Sequence, residues 1–429
     1  MNKHLNTADL ENNRHGQGRT VLWLLYLFFF PAFSLQAPAA VTNQVAGYQS
    51  TLAAGGETAP STASTKQVFK CKPGPWGDLE YFYTYLEPPE ELIRQYPDPP
   101  EKTTWVFSCV TRKGFLEFID RDEFRASTRQ ALKDSAWKRD DEDLLIYPPD
   151  NLVLALNYAE RSRIMFALNN QREFGGGIYF SSPFNFPNAD LPQWLSNSGV
   201  NSNLVNLVER TQLKLKDGYT LFSDVSLASR YFTSDEERVR FLQVLSRKKT
   251  MVVRLKITKQ TDLLALEDYW TMGYKQKNIL PILKSVFTTP GVETLDLVHL
   301  LPPTPRKCLY TFPTISDGLL GNWRNCYWTA ANFFRVHPND RFIKTNQFTN
   351  QLQSSWESIS QPYRLGDILV IYNPENNQAI HACVYIADDI VYTKNGSSPL
   401  TPWMFTKQDL MVQRYNLGKR IGLQGFRIR

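Results

Sequence analysis

Histidine is scarce in this 429-residue chain, which has five, and only His299, His337 and His381 lie beyond residue 39. Chemistry that needs an imidazole therefore has few candidates. The five cysteines include no CxxC pair and no Cys/His group at metal-ligand spacing, so we expect no zinc site and no other metal or cofactor. Because the number of cysteines is odd, at least one thiol is free or forms a bridge to another molecule.

Nucleotide-binding and calcium-binding motifs are also missing. The glycine run in "REFGGGIYF" is not followed by a Lys-Ser/Thr pair and forms no GxGxxG motif, so it predicts a loop rather than a phosphate site. The acidic run from Asp140 to Asp143 lacks the alternating ligand spacing of calcium loops and predicts a solvated turn. The net charge of +6 is dispersed and too weak to indicate a nucleic-acid partner, although it suits an anionic polymer such as a cell wall.

An apolar run, "VLWLLYLFFFPAF", follows a polar segment with three basic residues, and Ala37 and Ala39 come after it in Ala-x-Ala spacing. This order is typical of a secretory signal peptide, and the run is short for a membrane-spanning helix. We predict a signal peptide over residues 1–39 and an exported protein, periplasmic or secreted. The alternative is an uncleaved signal anchor, which Pro31 and the long leading segment leave open. In both cases the membrane is contacted only through this segment.

Composition divides the rest of the chain into four segments. Residues 40–67 are rich in Ala, Gly, Ser and Thr and predict a flexible linker. Residues 68–300 predict a larger mixed α/β domain of no assignable family. Residues 301–314 contain four prolines and predict a rigid connector, after which residues 315–429 form a second domain.

Periodicity indicates particular elements in the first of these domains. The runs "TTWVFSCV" and "MVVRLKI" are typical of strands, and in the second of them Met251 and the residues at every second position share one face. Apolar residues from Leu154 to Leu168 form one helical stripe. Ser234 and Glu237 predict a capping box before the helix in "RVRFLQVLSRK".

The stretch "GNWRNCYWTAANFF" places Cys326 at the head of an almost wholly apolar segment. Gly321, Asn322 and Asn325 favour a turn or an N-cap, and no helix breaker follows before Pro338, so a helix is predicted to begin at Cys326. We expect this helix to be buried with only its N-terminus exposed. Unpaired backbone N–H groups and the helix dipole are expected to lower the pKa of a thiol in the first turn.

A cysteine nucleophile needs a base, and His381 is the best candidate. His337 lies eleven residues further along the predicted helix, about 16 Å away, and His299 precedes the connector. The runs "DILVIY", "IHACVYI" and "IVYT" predict three antiparallel strands, in which His381, Cys383 and Tyr385 share one face. Cys383 is either a packing residue or a redox neighbour of the site.

The order of the cysteine helix, "LGDILVIY" and "HACVYIADDIVYTKNG" resembles the NlpC-type cell-wall peptidases. Their pattern is a nucleophilic Cys, a Gly-Asp-hydrophobic strand and His-x-Gly-hydrophobic-Tyr-hydrophobic-Gly. The resemblance covers residues 315–410 and implies an α+β, papain-like fold, with a central nucleophile helix packed on an antiparallel sheet. It also implies Cys326 as nucleophile and His381 as base. The chain departs from the pattern because Asp-Cys-Ser is here Asn325-Cys326-Tyr327, and the expected Gly is Cys383.

The family's third polar residue, which orients the histidine, would fall at Thr393. We predict Asn395 for this role, because an amide carbonyl can accept the ring N–H, although the neighbouring Gly396 also fits a turn. Lys394 is the second candidate and lies on the opposite strand face from Thr393.

Structural roles compete with catalytic roles at both central residues. Cys326 could be a buried structural thiol or could pair with another cysteine, although Cys71, Cys109 and Cys308 are better placed for a bridge. His381 could be a hydrogen-bonded histidine of the core.

The resemblance implies cleavage of peptidoglycan stem peptides, most commonly between D-glutamate and the diamino acid, through a thioester on Cys326. The first domain would position the polymer or restrict access. Two alternatives stay open. One is an amidase or acyltransferase of the same fold acting on another peptide or amide substrate, and the other is a wall-binding module with a degenerate site, favoured by the loss of Asp-Cys-Ser.

Overall fold

All the strand ladders described here are antiparallel, in a computed structural model that describes residues 67–95, 99–108, 110–121, 123–169, 184–187, 198–214, 219–273, 275–319, 323–416 and 420–429. Helices connect and cover the sheets, so the coarse prediction of a mixed α/β protein with antiparallel sheets is confirmed.

The strands are β1 (Phe69–Lys70), β2 (Asp78–Leu86), β3 (Trp105–Ser108), β4 (Ala136–Asp140), β5 (Asp143–Tyr147), β6 (Phe184–Pro187), β7 (Leu213–Lys214), β8 (Tyr219–Phe222), β9 (Lys248–Lys256), β10 (Thr294–Asp296), β11 (Trp356–Ile359), β12 (Ile368–Asn373), β13 (Gln378–Ala387), β14 (Ile390–Lys394), β15 (Trp403–Lys407) and β16 (Gly422–Ile428).

The α-helices are α1 (Glu90–Arg94), α2 (Arg112–Ile119), α3 (Ala126–Asp134), α4 (Asp150–Ala155), α5 (Tyr158–Asn169), α6 (Ser202–Thr211), α7 (Val225–Ala228), α8 (Asp235–Leu245), α9 (Leu263–Trp270), α10 (Leu280–Thr288), α11 (Pro303–Cys308), α12 (Ile315–Leu319), α13 (Cys326–Ala331), α14 (Thr345–Ser355) and α15 (Gln408–Tyr415). Short 3₁₀ turns occupy Ser229–Tyr231, Leu297–Leu300 and Asp340–Ile343.

A six-stranded sheet in the order β11-β16-β12-β13-β14-β15 forms the C-terminal part. Its central strands β12, β13 and β14 are the three that alternation of apolar residues predicts. β13 pairs with β12 along most of its length but with β14 only from Val384 opposite Tyr392 to Ala387 opposite Ile390. The ladder between these two strands therefore does not extend to His381.

Three smaller sheets lie earlier in the chain: β1-β2-β9-β10, β3-β5-β4 and β6-β8-β7. The strand predicted from "MVVRLKI" lies within β9 and its extension, with Met251, Val253 and Leu255 at most 1% exposed. β3 confirms the strand predicted in "TTWVFSCV".

The predicted helical stripe from Leu154 to Leu168 is divided between α4 and α5. The break comes at Leu156 and Asn157, where the Asn157 side chain accepts a hydrogen bond from the Glu160 N–H at 2.9 Å and starts a new helix. The predicted capping box is half formed. The Ser234 hydroxyl accepts from the Glu237 N–H, whereas the Glu237 carboxylate bonds the N–H of Thr233, one residue earlier than expected.

One hydrophobic cluster contains residues from both predicted domains. Met251 and Leu255 of β9 share it with Phe405 of β15 and with the start of α13. Two hydrogen bonds also join the two predicted domains. The Thr250 hydroxyl donates to the Phe405 carbonyl at 3.0 Å, and the Tyr269 hydroxyl donates to the Ile386 carbonyl at 2.6 Å. All the described residues belong to the compact unit Ser64–Arg429. The domain boundary at residues 301–314 stays a prediction, and that segment contains α11, which has Pro303 at its first position.

The predicted signal peptide and nearly all of the predicted linker lie outside the described residues. Within the described ranges, no helix combines the length and the apolar character needed to cross a bilayer.

Candidate active site

The helix α13 begins at Cys326 because Asn325 caps it. The Asn325 side-chain carbonyl accepts from the Trp328 N–H at 3.0 Å, and its amide donates to the Ile343 carbonyl at 2.8 Å. The Tyr327 hydroxyl donates to the Ala379 carbonyl at 2.7 Å and fixes the helix to β13. The predicted N-cap and helix start are confirmed.

The helix ends earlier than the sequence predicts, at Ala331 instead of near Pro338. The side chain of Asn332 donates to the Trp328 carbonyl at 2.9 Å and accepts from the Asn339 N–H at 2.8 Å. These two bonds replace helical hydrogen bonds with a link to the following loop. His337 therefore lies on an exposed loop, not on the helix.

The Cys326 side chain is buried, and the residue is only 1% exposed. Burial raises the pKa of its thiol to about 11, although backbone N–H groups of Ala382 and Tyr327 and the charge of Lys394 favour the thiolate. The expectations of an exposed helix start and a lowered pKa were both wrong. The free energy needed to bury a thiolate is larger than the stabilisation that the backbone amides and the helix N-terminus give it.

His381 lies on β13 before the ladder with β14 begins at Val384, and it is fully buried. Its Nε2 and the Thr393 hydroxyl are 2.9 Å apart, whereas its Nδ1 has no hydrogen-bond partner in the described structure. Burial, with a smaller contribution from the charge of Arg414, lowers the pKa of the imidazole to about 3. The ring is therefore neutral, and one of its nitrogens lacks a partner.

An aromatic ring covers the imidazole. Tyr415, the last residue of α15, stacks on His381 with the ring centres 4.3 Å apart and the planes 19° from parallel. Tyr415 is half-buried while His381 beneath it is fully buried. No sequence signal singled out Tyr415, because it lies 34 residues beyond His381 and joins it only through tertiary packing.

Lys394 is fully buried on β14 and holds a loop. Its ammonium donates to the carbonyls of Gly396 and Ser398 at 3.0 and 2.9 Å and to the Thr401 hydroxyl at 3.1 Å. Burial lowers the pKa of Lys394 to about 7, against the opposing charges of Cys326 and Asp317. The side-chain oxygen of Asn395 is buried and has no hydrogen-bond partner in the described structure.

The four predicted site residues thus occupy neighbouring elements, but their contacts differ from those expected. The Thr393 hydroxyl, and not Asn395 or Lys394, bonds the imidazole. No described hydrogen bond joins Cys326 to His381. The Cys326 sulfur lies against the N–H of Ala382, the residue after His381. Cys326 packs in one hydrophobic cluster with Ala382 and Val384, whereas Cys383 packs in another with Tyr415, which stacks on His381. Because residues alternate between the faces of a strand, the sulfur and the imidazole approach the same stretch of β13 from opposite faces.

The described cysteines Cys71, Cys308, Cys326 and Cys383 are all free and buried, and Cys109 lies outside the described residues. Cys326 is not part of a disulfide. Nowhere in the described part of the chain do three or more His, Cys, Asp or Glu side chains come together as metal ligands would.

No protein-family model, curated protein or solved structure matches this chain. What can be said of its function therefore depends on the residues and contacts described above.

Proposed function

We propose that the protein is a cysteine hydrolase that cleaves amide bonds through a thioester on Cys326, and that its C-terminal region has the papain-like, NlpC-type arrangement. A helix that begins with cysteine packs on an antiparallel sheet, and the central strand of that sheet carries a histidine. This is the arrangement that Cys/His hydrolysis needs.

The observation that carries the proposal is the hydrogen bonding of His381. Its Nε2 is held by Thr393, twelve residues further along, at the position where the NlpC-type pattern places its orienting residue. If Nε2 donates its proton to the hydroxyl, Nδ1 keeps a free lone pair in a buried site on the strand whose Ala382 N–H faces the Cys326 sulfur. Buried polar atoms rarely lack partners, and a catalytic role accounts for this one.

Burial keeps both groups neutral at rest, so the mechanism begins from thiol and imidazole. The imidazole takes the thiol proton as the sulfur attacks the amide carbonyl, and it then gives that proton to the departing amine. Water hydrolyses the thioester. The backbone N–H groups of Ala382 and Tyr327, which already face the sulfur, would stabilise the oxyanion.

The substrate we propose is the peptide portion of peptidoglycan, which the NlpC-type resemblance and the predicted signal segment both favour. The resemblance rests on the cysteine helix, the Gly366-Asp367 strand entrance and the His381 strand. At that entrance Asp367 bonds Arg427 of β16 at 2.8 and 2.6 Å, so Asp367 stabilises the sheet instead of acting on substrate.

A specific observation favours a second candidate, a wall-binding module with a degenerate site. Cys326 and His381 are both buried, their pKa values are shifted away from the ion pair, and no hydrogen bond joins them. A site without function could keep this packing. The two candidates differ in whether Cys326 reacts with an electrophile at neutral pH.

The test is digestion of purified peptidoglycan by the purified full chain, with mass spectrometry of the products, alongside labelling with an electrophilic thiol probe. A free diamino-acid N-terminus supports the peptidase, whereas transfer of an acyl group to an added amine would identify an acyltransferase. Cys326→Ala should remove both labelling and cleavage. Equal labelling of wild type and Cys326→Ala, with intact wall peptides, would refute the enzyme and support the binding module.

A further inference from the structure

Lys394 is a buried ammonium that the proposed mechanism does not use. Its amino group donates to the carbonyls of Gly396 and Ser398 and to the Thr401 hydroxyl. The Thr401 hydroxyl itself donates to the Ser398 carbonyl at 2.8 Å, so it accepts from the lysine. Two carbonyls and this hydroxyl together require three N–H donors, which only the charged ammonium has.

This buried charge is not matched by an anion. All three hydrogen-bond partners that the described part of the chain gives Lys394 are neutral, and Asp317, whose charge reaches it, pairs with Arg324 at 3.4 Å. A buried cation without an anion costs stability, so holding a loop does not explain why a lysine stands here. An anion that forms only during the reaction would complete the pair.

Lys394 lies on the same face of the six-stranded sheet as Cys326. Side chains alternate along β14, so Lys394 shares one face with Tyr392, and Thr393 shares the other with Val391. Tyr392 packs in the hydrophobic cluster that contains Cys326, whereas Val391 packs in the cluster of the opposite face. The lysine is therefore on the side of the sheet that α13 covers.

The contacts of Trp403 place the ammonium beside the start of α13. Trp403 lies opposite Lys394 in the ladder of β14 and β15, and the ammonium is 5.7 Å from the centre of its ring. The same indole donates to the Thr329 hydroxyl at 2.9 Å and packs on the Trp328 ring, with the ring centres 5.9 Å apart. One side chain thus connects the ammonium with the first turn of the helix that Cys326 begins.

Lys394 is also level with the part of β13 that the sulfur faces. On the opposite face of the sheet, the His381 imidazole and the Thr393 hydroxyl are 2.9 Å apart, so the two strands lie side by side here. The next residues along these strands are Ala382 and Lys394, and the Ala382 N–H faces the Cys326 sulfur. In agreement with this placement, the charge of Lys394 acts to lower the pKa of Cys326.

We infer that Lys394 is the counter-charge of Cys326: its ammonium, fixed by residues 396–401 on the sheet face that α13 covers, stabilises the sulfur anion formed when the thiol gives its proton to the base. The inference deepens the proposed function and rests on it for its biological meaning. It gives Lys394 a task other than orienting the imidazole. The electrostatic effect on the sulfur can be measured without any hydrolysis.

The experiment measures alkylation of each cysteine in the full chain by iodoacetamide at neutral pH, resolved by peptide mass spectrometry. Lys394→Met removes the charge and keeps an unbranched side chain, so labelling of Cys326 should slow by about tenfold or more. A lysine that only held the loop would give the opposite sign, because its removal would loosen the site and speed labelling. An unchanged or faster rate would overturn the inference, and so would a wild-type Cys326 that does not react.

Thr401→Val is the matched control. It removes one acceptor of the ammonium and weakens the loop but leaves the charge, so it should change the Cys326 rate by about threefold at most. Cys71 and Cys383 are the internal controls, because Cys383 is buried on the opposite face of β13 and Cys71 on another sheet. A fall shared by all three thiols, or an equal fall in Thr401→Val, would show a structural effect and overturn the counter-charge.

A second readout reports charge and not access. Iodoacetate and iodoacetamide are nearly the same size, but only iodoacetate is an anion, so the ratio of their rates at Cys326 rises with positive charge beside the sulfur. This ratio should fall by about threefold or more in Lys394→Met and stay constant in Thr401→Val. Equal ratios in wild type and Lys394→Met would contradict the inference.

These outcomes are separate from those of the proposed function. If Lys394→Met changes the rate and the ratio as expected but the wild type leaves wall peptides intact, the counter-charge stands and the proposed hydrolysis fails. If the wild type cleaves wall peptides while Lys394→Met labels as fast as wild type, the hydrolase stands and the counter-charge fails.

Discussion

Two groups of buried polar side chains in this protein differ in whether their polar atoms have hydrogen-bond or ion-pair partners. Between α5 and α7, Arg161 and Asp224 form an ion pair at 2.6 Å with side chains only 6% and 3% exposed, and Arg161 also donates to the Val153 carbonyl. Around Cys326, by contrast, His381 Nδ1 and the Asn395 oxygen are buried without partners.

The first group is what a stable core requires. Glu160 is also paired, but the net effect on its pKa is opposite. Burial raises the pKa of Asp224 despite Arg161, whereas hydrogen bonds from the Arg125 side chain and from the backbone N–H groups of Arg125 and Asn157 lower that of Glu160 to about 2. The second group costs stability and is kept neutral instead of being paired. The proposed function accounts for the difference if the first group serves the fold and the second serves chemistry.

The largest expected effect comes from removing the Cys326 thiol, around which the unpaired groups lie. Cys326→Ala should lower hydrolysis of wall peptides by about 10³-fold or more, because the thioester can no longer form. Its free energy of unfolding should change by only about 1 kcal/mol, since one small buried group is removed. Activity assays and urea unfolding measure the two quantities. Cys308→Ala is the control and should retain activity, because Cys308 is also a buried thiol but lies outside the proposed site.

The paired group should respond in the reverse way. Arg161→Met leaves the Asp224 carboxylate buried without its partner and should lower the free energy of unfolding by about 3–5 kcal/mol. Arg94, which forms exposed ion pairs with Glu90 and Asp235, is the control, and Arg94→Ala should cost less than about 1 kcal/mol. Urea unfolding compares them. Losses of similar size would contradict the assignment of Arg161 to stability.

A fall in pH should lower the stability of the folded protein through His381. The folded-state pKa of about 3 lies below the ordinary value of 6.5, so the unfolded chain binds the extra proton first. Stability from this residue is present above pH 6.5 and is lost as the pH falls towards 3, by up to about 5 kcal/mol. Melting temperatures of wild type and His381→Asn across this range should therefore converge as the pH falls. Parallel curves would show that His381 does not titrate in this way.

The hydrogen bond between Thr393 and His381 should have a moderate effect. Thr393→Val keeps the shape of the side chain but removes the hydroxyl, and it should lower kcat/KM by about 10–100-fold because the imidazole loses its orienting partner. Thr393→Ser retains the hydroxyl and should recover most of the rate. If the Val and Ser variants have equal rates, the hydroxyl does not orient the imidazole.

The strands of the site could be predicted from the sequence, because alternation of apolar residues at period 2 is a local property. β12, β13 and β14 all fall where "DILVIY", "IHACVYI" and "IVYT" indicate. The start of α13 was likewise readable from Asn325.

What the sequence could not show depends on tertiary contacts. The helix ends at Ala331 because Asn332 binds Asn339, a pairing that no propensity encodes. The raised pKa of Cys326 follows from burial, which cannot be read from the residues beside it. The role of Thr393 was closer to being predictable from the sequence. Strand register gives it the same face as Cys383 and His381, but amide chemistry favoured Asn395.

The smallest expected effect is therefore the one that separates these two readings of the third residue. The Asn395 side-chain oxygen accepts no hydrogen bond, so Asn395→Ala removes no interaction with the imidazole and should change kcat/KM by less than about threefold. Removing a buried acceptor that has no partner should leave the protein as stable as before or slightly more so. If instead Asn395→Ala loses as much activity as Thr393→Val, the amide turns towards His381 during the reaction. In that event Asn395 would orient the imidazole during the reaction, as the chemistry of its amide predicts. The Thr393 hydroxyl would then bond the imidazole only in the resting structure.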